Sequence, residues 1–183
     1  MKILFCTDAF KPGVERLKAL LPEHEILVCK KEEVRENLKG VQAIIPAHAR
    51  IDEEVMKSGD FVLIQQFGVG LDSVDVNAAT KHGVYVANVP SKGSGNSASV
   101  AEQAIFLMIA LARGYPQCQQ SLRAGIVGQP IGRALAGKTI GIIGLGNVGQ
   151  DLVMRLKGFE AKLIGIEKER SESLRKALGL EFL

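Results

Sequence analysis

The chain has 183 residues, 46% hydrophobic and 23% charged, a balance that buries a real core in one large domain or two small ones. A net charge of +3, with no basic cluster interleaved with aromatics, excludes a nucleic-acid surface. Cys6, Cys29 and Cys118 are odd in number and widely spaced, which excludes a disulfide framework or a thiolate metal site and suits a reducing cytoplasm.

From Met1 the chain enters an apolar run at once, so a strand and no signal peptide are expected there. Candidate strands are residues 2–6, 25–28, 43–45, 61–65 and 85–87. Helical patterns lie between them at 12–20, 31–39, 53–57 and 75–81, with Pro12 in a first turn and Asp52 and Asp75 as caps or first-turn acids. Strands alternating with helices imply parallel pairing, right-handed crossovers and a five-stranded doubly wound domain. Ligands of such sheets bind beyond the carboxyl ends of the strands, which singles out loops 66–72 and 88–96. The second loop is rich in Gly, Ser and Pro and reads as a hinge, either a plain linker or a crevice-lining segment. Beyond it, Ser99 and Glu102 have capping-box spacing. Residues 100–113 are apolar nearly all round, as in a helix buried on several sides, and 117–124 is more polar. The longest apolar stretch, 104–112, is too short to span a bilayer, so no membrane is expected.

Residues 138–170 carry the most specific pattern. A buried strand at 139–143 ends in Gly144-Leu145-Gly146-Asn147-Val148-Gly149, followed by a helix at 150–157 and a second strand at 162–166 that closes on Glu167. This order matches the dinucleotide-binding fingerprint. Gly144 allows a sharp turn, Gly146 removes a β-carbon that would hold a pyrophosphate away, and Gly149 lets the helix pack closely. With Asn147 and Val148, these residues offer bare N–H groups at a helix mouth to phosphates. Glu167, eighteen residues past Gly149, suits ribose hydroxyls and would repel a 2′-phosphate, which favours NAD over NADP. Lys168 and Arg170 lie close by, and a nearby arginine is what that phosphate would need.

Four stretches in order carry a resemblance: Gly68-Val69-Gly70-Leu71-Asp72-Ser73-Val74-Asp75, His82-Gly83-Val84-Tyr85-Val86-Ala87-Asn88-Val89-Pro90, Asn96-Ser97-Ala98-Ser99-Val100-Ala101-Glu102-Gln103, and Gly137-Lys138-Thr139-Ile140-Gly141-Ile142-Ile143-Gly144-Leu145-Gly146. Across essentially the whole chain the sequence resembles the D-isomer-specific 2-hydroxyacid dehydrogenases. The resemblance implies an α/β chain with a flavodoxin-like parallel-sheet substrate domain at 1–97 and an incomplete Rossmann NAD-binding domain at 98–183. It implies hydride transfer between nicotinamide and a small 2-hydroxy or 2-keto acid. Backbone N–H groups of Val69 and Gly70 would hold the substrate carboxylate, as a Gly-X-Gly turn can aim successive donors at an anion. Asn96 matches a substrate-touching position, or is simply a helix-entry residue. Val100 matches a position near the nicotinamide, or is simply apolar. A homodimer through residues 100–135 is implied too.

The same resemblance places the catalytic arginine, glutamate and histidine after the second Rossmann strand, where this sequence has no match. His24, His48 and His82 fall in the first domain and match no catalytic position; His48 and Arg50, in the loop after the third strand, either approach a substrate or form a solvated loop, the latter favoured. A six-stranded Rossmann sheet would take about 120 residues more than the two strands read here. The expectation is therefore the N-terminal part of a dehydrogenase, inactive by itself, with an unpaired strand edge at 139–143. A non-catalytic NAD-binding, oligomerisation or regulatory module, like the related NAD-sensing corepressors, and the product of an interrupted gene are the alternatives.

Overall fold

The computed structural model describes residues 1–169 and 171–182. The chain divides into two compact units, Met1–Pro90 and Ser91–Leu183.

In the first unit, β1 (Lys2–Phe5), β2 (Glu25–Val28), β3 (Ala43–Ile45), β4 (Leu63–Gln65) and β5 (Tyr85–Ala87) pair in parallel in the order β2-β1-β3-β4-β5. This is the doubly wound order of flavodoxin-like sheets. Side chains alternate across the sheet. Leu4, Ile44 and Ile64 pack on one face with Val55, Met56, Ala78 and Ala79, which come from α2 (Glu53–Lys57) and α3 (Val76–Lys81). Ile3, Phe5, Ala43 and Ile45 pack on the other with Val14 of α1 (Lys11–Leu20). Both faces are thus covered, as near-continuous apolar strands require. Asp52 and Asp75 cap α2 and α3, accepting from the N–H groups of Val55 at 3.1 Å and Ala78 at 2.9 Å.

The helix expected at 31–39 is only a 3₁₀ turn, Arg35–Asn37. Asn37 Nδ2 donates to the Glu33 carbonyl at 2.8 Å, the acceptor its own backbone N–H would use in an α-helix. That N–H turns instead to the Val34 carbonyl at 3.1 Å.

The second unit holds α4 (Asn96–Arg113), α5 (Tyr115–Arg123), β6 (Thr139–Ile143), α6 (Asn147–Leu156), β7 (Lys162–Ile166), α7 (Glu172–Leu178) and β8 (Glu181–Phe182). Its parallel sheet runs β6-β7-β8, one short strand more than the sequence suggested, with β6 on the edge. Ile142, Leu145, Val153, Leu156, Leu178 and Leu180 form its core.

Two expectations for α4 fail. Ser99 is not its cap: the helix begins at Asn96 behind Gly95, whose φ of +79° lets the chain turn in, and Ser99 donates its N–H to the Gly95 carbonyl at 3.0 Å. Glu102 meets Arg155 Nε at 3.6 Å instead of reaching back. Nor is α4 buried on several sides, because α6 covers one side and leaves Phe106, Leu107 and Leu111 exposed. No helix among the described residues is long and apolar enough to cross a membrane.

Candidate functional sites in the two units

A cavity of about 530 Å³ lies at the carboxyl end of the first sheet, where strand order reverses between β1 and β3. Thr7, Ala9 and Phe10 reach it from the loop after β1, Ala47 and His48 from the loop after β3, and residues 66–70 with Asp72 and Ser73 from beyond β4. Ala47 holds φ at +52° in a turn closed by the Ala49 N–H on the Pro46 carbonyl at 2.8 Å. That conformation costs a non-glycine residue about 1 kcal/mol and presents His48 to the cavity. Arg50 does not line it; its Nε lies 3.7 Å from Asp52.

The loop after β4 is pinned by its carbonyls. Gly68 O accepts from the Val89 N–H at 3.0 Å, Val69 O from Asn88 Nδ2 at 2.7 Å, and Gly70 O from Gln66 Nε2 at 2.9 Å. Gln66 is buried and its Oε1 accepts from the Phe67 N–H at 2.8 Å, so both ends of that amide are engaged. Among the described residues, nothing accepts from the N–H groups of Val69 and Gly70. Two adjacent donors with fixed carbonyls behind them form a seat for an anion. Ser73 Oγ at the cavity wall is buried without a partner among the described residues.

The second unit repeats the device at its glycine turn. Gly144 has φ +87°, and its N–H donates to the Ile166 carbonyl at 2.8 Å, continuing the β6–β7 ladder. Leu145 O accepts from Gln150 Nε2 at 2.8 Å, and the Asn147 amide donates to Ser91 Oγ at 2.6 Å. No side chain caps α6, and among the described residues the N–H groups of Asn147, Val148 and Gly149 have no acceptor. Three orphan donors and a partial positive charge at a helix start suit phosphate.

The glycines test the fit of a dinucleotide. A β-carbon on Gly149 would stand 2.1 Å from the Gly144 carbonyl oxygen, so the close approach is to the turn itself as much as to the strand. At Gly146, φ is −68° and ψ −167°, angles any residue adopts, and a β-carbon would meet nothing within 4 Å. Bare backbone there serves no packing need and leaves open space beside the donors, which fits a pyrophosphate. Glu167 Oε2 accepts from the Leu145 N–H at 2.6 Å and Oε1 from the Lys168 N–H at 2.9 Å. Those donors hold its carboxyl below the usual carboxylate range. Each oxygen keeps a further lone pair for a ribose hydroxyl. Arg170 lies outside the described residues.

Asn96 opens α4, exposed, with its N–H 3.4 Å from Ser94 Oγ, and Val100 stands exposed one turn on. Among the described residues His24 and His82 do not line the cavity of the first unit, and His82 Nε2 lies 3.6 Å from Glu53. Among the described residues no group of three or more His, Cys, Asp or Glu could hold a metal ion. Phe10 and Gln150 were not singled out from the sequence, and Gln66 and Asn88 lay in the loops that were, without a role of their own. A polar residue directly after an apolar strand is the one signal that marked Gln66 and Asn88.

Both the sequence and the fold have known relatives. The profile of the family described as D-isomer specific 2-hydroxyacid dehydrogenase, catalytic domain, matches residues 3–178. A D-3-phosphoglycerate dehydrogenase of Archaeoglobus fulgidus is 34% identical over 183 aligned residues, covering 95% of this chain and 34% of its own length. A glyoxylate reductase of Pyrococcus horikoshii is 33% identical, covering 91% of this chain and 54% of its own. The chain thus spans between a third and about half of these curated relatives. Among solved structures, an NAD-dependent formate dehydrogenase from Staphylococcus aureus in complex with NAD is 26% identical with a TM-score of 0.72, covering all of this chain and 60% of that one.

Proposed function

The chain belongs to the D-isomer specific 2-hydroxyacid dehydrogenase family, and from that premise we propose that its first unit binds a small 2-hydroxy or 2-oxo acid and its second unit binds NAD, for hydride transfer between them. The observation that carries this reading is the loop after β4. With the carbonyls of Gly68, Val69 and Gly70 held by Val89, Asn88 and Gln66, the N–H groups of Val69 and Gly70 are left for a carboxylate. In the second unit, Asn147, Val148 and Gly149 would hold the diphosphate, Gly144 and Gly146 give it bare backbone, and Glu167 would take the adenosine ribose hydroxyls. Bound NAD supplies the nicotinamide that accepts or donates the hydride. The ionised Glu167 favours NAD over NADP by repulsion of a 2′-phosphate. Asn96 and Val100 take the substrate-side and nicotinamide-side positions that the family resemblance implies.

Among the described residues the cavity lining offers the imidazole of His48 but no glutamate and no arginine to polarise a 2-oxo group. We therefore expect binding by this chain without steady turnover. Glyoxylate, which has no side group, should shift the Val69 and Gly70 amide resonances, while NADH should shift those of residues 146–149. NADH consumption with a panel of 2-oxo acids should stay at background. Steady oxidation at enzyme-like rates would show acid–base chemistry within this chain, and unmoved Val69 and Gly70 amides would remove the carboxylate seat.

A homodimer through residues 100–135 is supported by the apolar side chains that α4, α5 and the following loop leave in water, Leu111 at 85%, Val127 at 90% and Ile131 at 95% exposure. The unbridged thiols of Cys6, Cys29 and Cys118 support a cytoplasmic location.

A further inference from the structure

We propose that the cavity of the first unit selects an acid whose side group is uncharged and apolar, and discriminates against a phosphorylated one. This rests on the reading of Val69 and Gly70 as the carboxylate seat and adds what lies beyond that seat.

Part of the cavity wall is aromatic and fixed. Phe10 and Phe67 are 43% and 46% exposed, large for apolar rings that line a cavity. Their centroids lie 5.3 Å apart, edge to face, and Phe67 makes a second edge contact of 5.6 Å with the fully buried Phe5. Phe67 is thus clamped between a core ring and a surface ring, so this apolar surface stands in place before any ligand arrives. Ala9 and Ala47 extend it with small side chains and leave room. A hydrocarbon side group removes such surface from water at a gain proportional to the area covered.

Charge points the same way. A phosphate is held best by arginine forks, lysine or clustered N–H donors, and no lysine or arginine is among the described residues that line the cavity. The Gln66 amide is spent on the loop at both ends. The formal charge present is negative: a β-carbon on Gly70 would lie 3.0 Å from Asp72 Oδ2, so that carboxylate sits beside the seat. Two N–H donors can hold one carboxylate against it, whereas a second, dianionic group in the same cavity meets repulsion with no lysine or arginine to answer it.

The test compares three acids on the 183-residue chain, by amide shifts of Val69 and Gly70 and by calorimetry: glyoxylate, 4-methyl-2-oxopentanoate and 3-phosphohydroxypyruvate. The branched alkyl acid is expected to bind at least about tenfold tighter than the phosphorylated one, a margin of about 1.4 kcal/mol. Phe10→Ser should narrow that margin at least about threefold and Phe10→Leu should keep it, with thermal unfolding showing that both variants fold. If glyoxylate moves both amides but the phosphorylated acid binds as tightly as the alkyl acid, the inference is overturned and the seat stands. A margin that Phe10→Ser leaves undiminished also overturns it, because the wall would contribute nothing to it. If no acid, glyoxylate included, moves the two amides, the seat falls and this inference with it.

Discussion

Gly149 and Gly146 are three positions apart in one motif, yet the backbone needs them for opposite reasons. A methyl group on Gly149 would press into the Gly144 carbonyl at 2.1 Å, backbone that cannot swing aside. Gly149→Ala should therefore cost about 1–3 kcal/mol of stability in the second unit by urea unfolding. Gly146→Ala meets open space at ordinary angles and should unfold like the parent while binding NAD at least tenfold more weakly in calorimetry. Equal stability of the Gly149 variant would mean that the helix has slack against the turn. At Asp52 the accompanying effect is a pH dependence. Its carboxyl is held below the ordinary value of 3.8, first by the Val55 N–H and then by Arg35 and Arg50. A carboxylate lowered in the folded state contributes fully above its unfolded value and loses that contribution as pH falls through the folded one. Asp52→Asn keeps the cap without the titration, so its urea midpoint should fall less than the parent's between about pH 5 and about pH 3. Asp52→Ala should lose about 1 kcal/mol already at neutral pH. Parallel acid limbs for parent and Asp52→Asn would assign the acid sensitivity elsewhere.

Elements whose pattern is local stand where the residues put them, and those that depend on a distant partner do not. The strands Glu25–Val28, Ala43–Ile45, Tyr85–Ala87, Thr139–Ile143 and Lys162–Ile166 are short apolar runs closed by turn residues, and α2 carries its cap in Asp52. The glycine turn was readable because its chemistry lies within six consecutive residues, Gly144 to Gly149. The clamp on the loop after β4 was not, since Asn88 reaches Val69 across nineteen residues and only the folded sheet brings β4 and β5 together. A side-chain amide undid the expected helix at 31–39, and a two-residue strand such as β8 has no period to detect. The apolar circumference of α4 suggested burial that α6 alone does not provide. That mismatch predicts self-association. The chain should sediment as a dimer, and Leu111→Glu, at a side chain 85% exposed, should give a monomer with unchanged helix content. A monomeric parent at tens of micromolar would remove residues 100–135 as the dimer contact.

The two units do not have equal means of staying folded. The first has a five-stranded sheet packed on both faces, with Leu4, Ile44 and Ile64 fully buried on one side and Phe5 on the other. The second has a three-stranded sheet over one small core, and its edge strand β6 leaves Ile143 85% exposed. Apolar area removed from water is the main favourable quantity in folding, so the second unit has less to set against its chain entropy. Native-state hydrogen exchange should therefore show two levels of protection: Ile44 and Ile64 opening with the larger free energy, Ile142 and Leu163 with the smaller. Ligands separate the levels further, because each stabilises only the unit that holds it. NAD at a hundred times its dissociation constant should add about 2.7 kcal/mol to the opening of Ile142 and Leu163 alone, and glyoxylate at the same ratio should act on Ile44 and Ile64 alone. A single opening free energy for all four amides would mean that the units fold as one. Stabilisation of Ile44 by NAD with Ile142 unmoved would put the nucleotide in the wrong unit, and the assignment of the glycine turn would have to be abandoned.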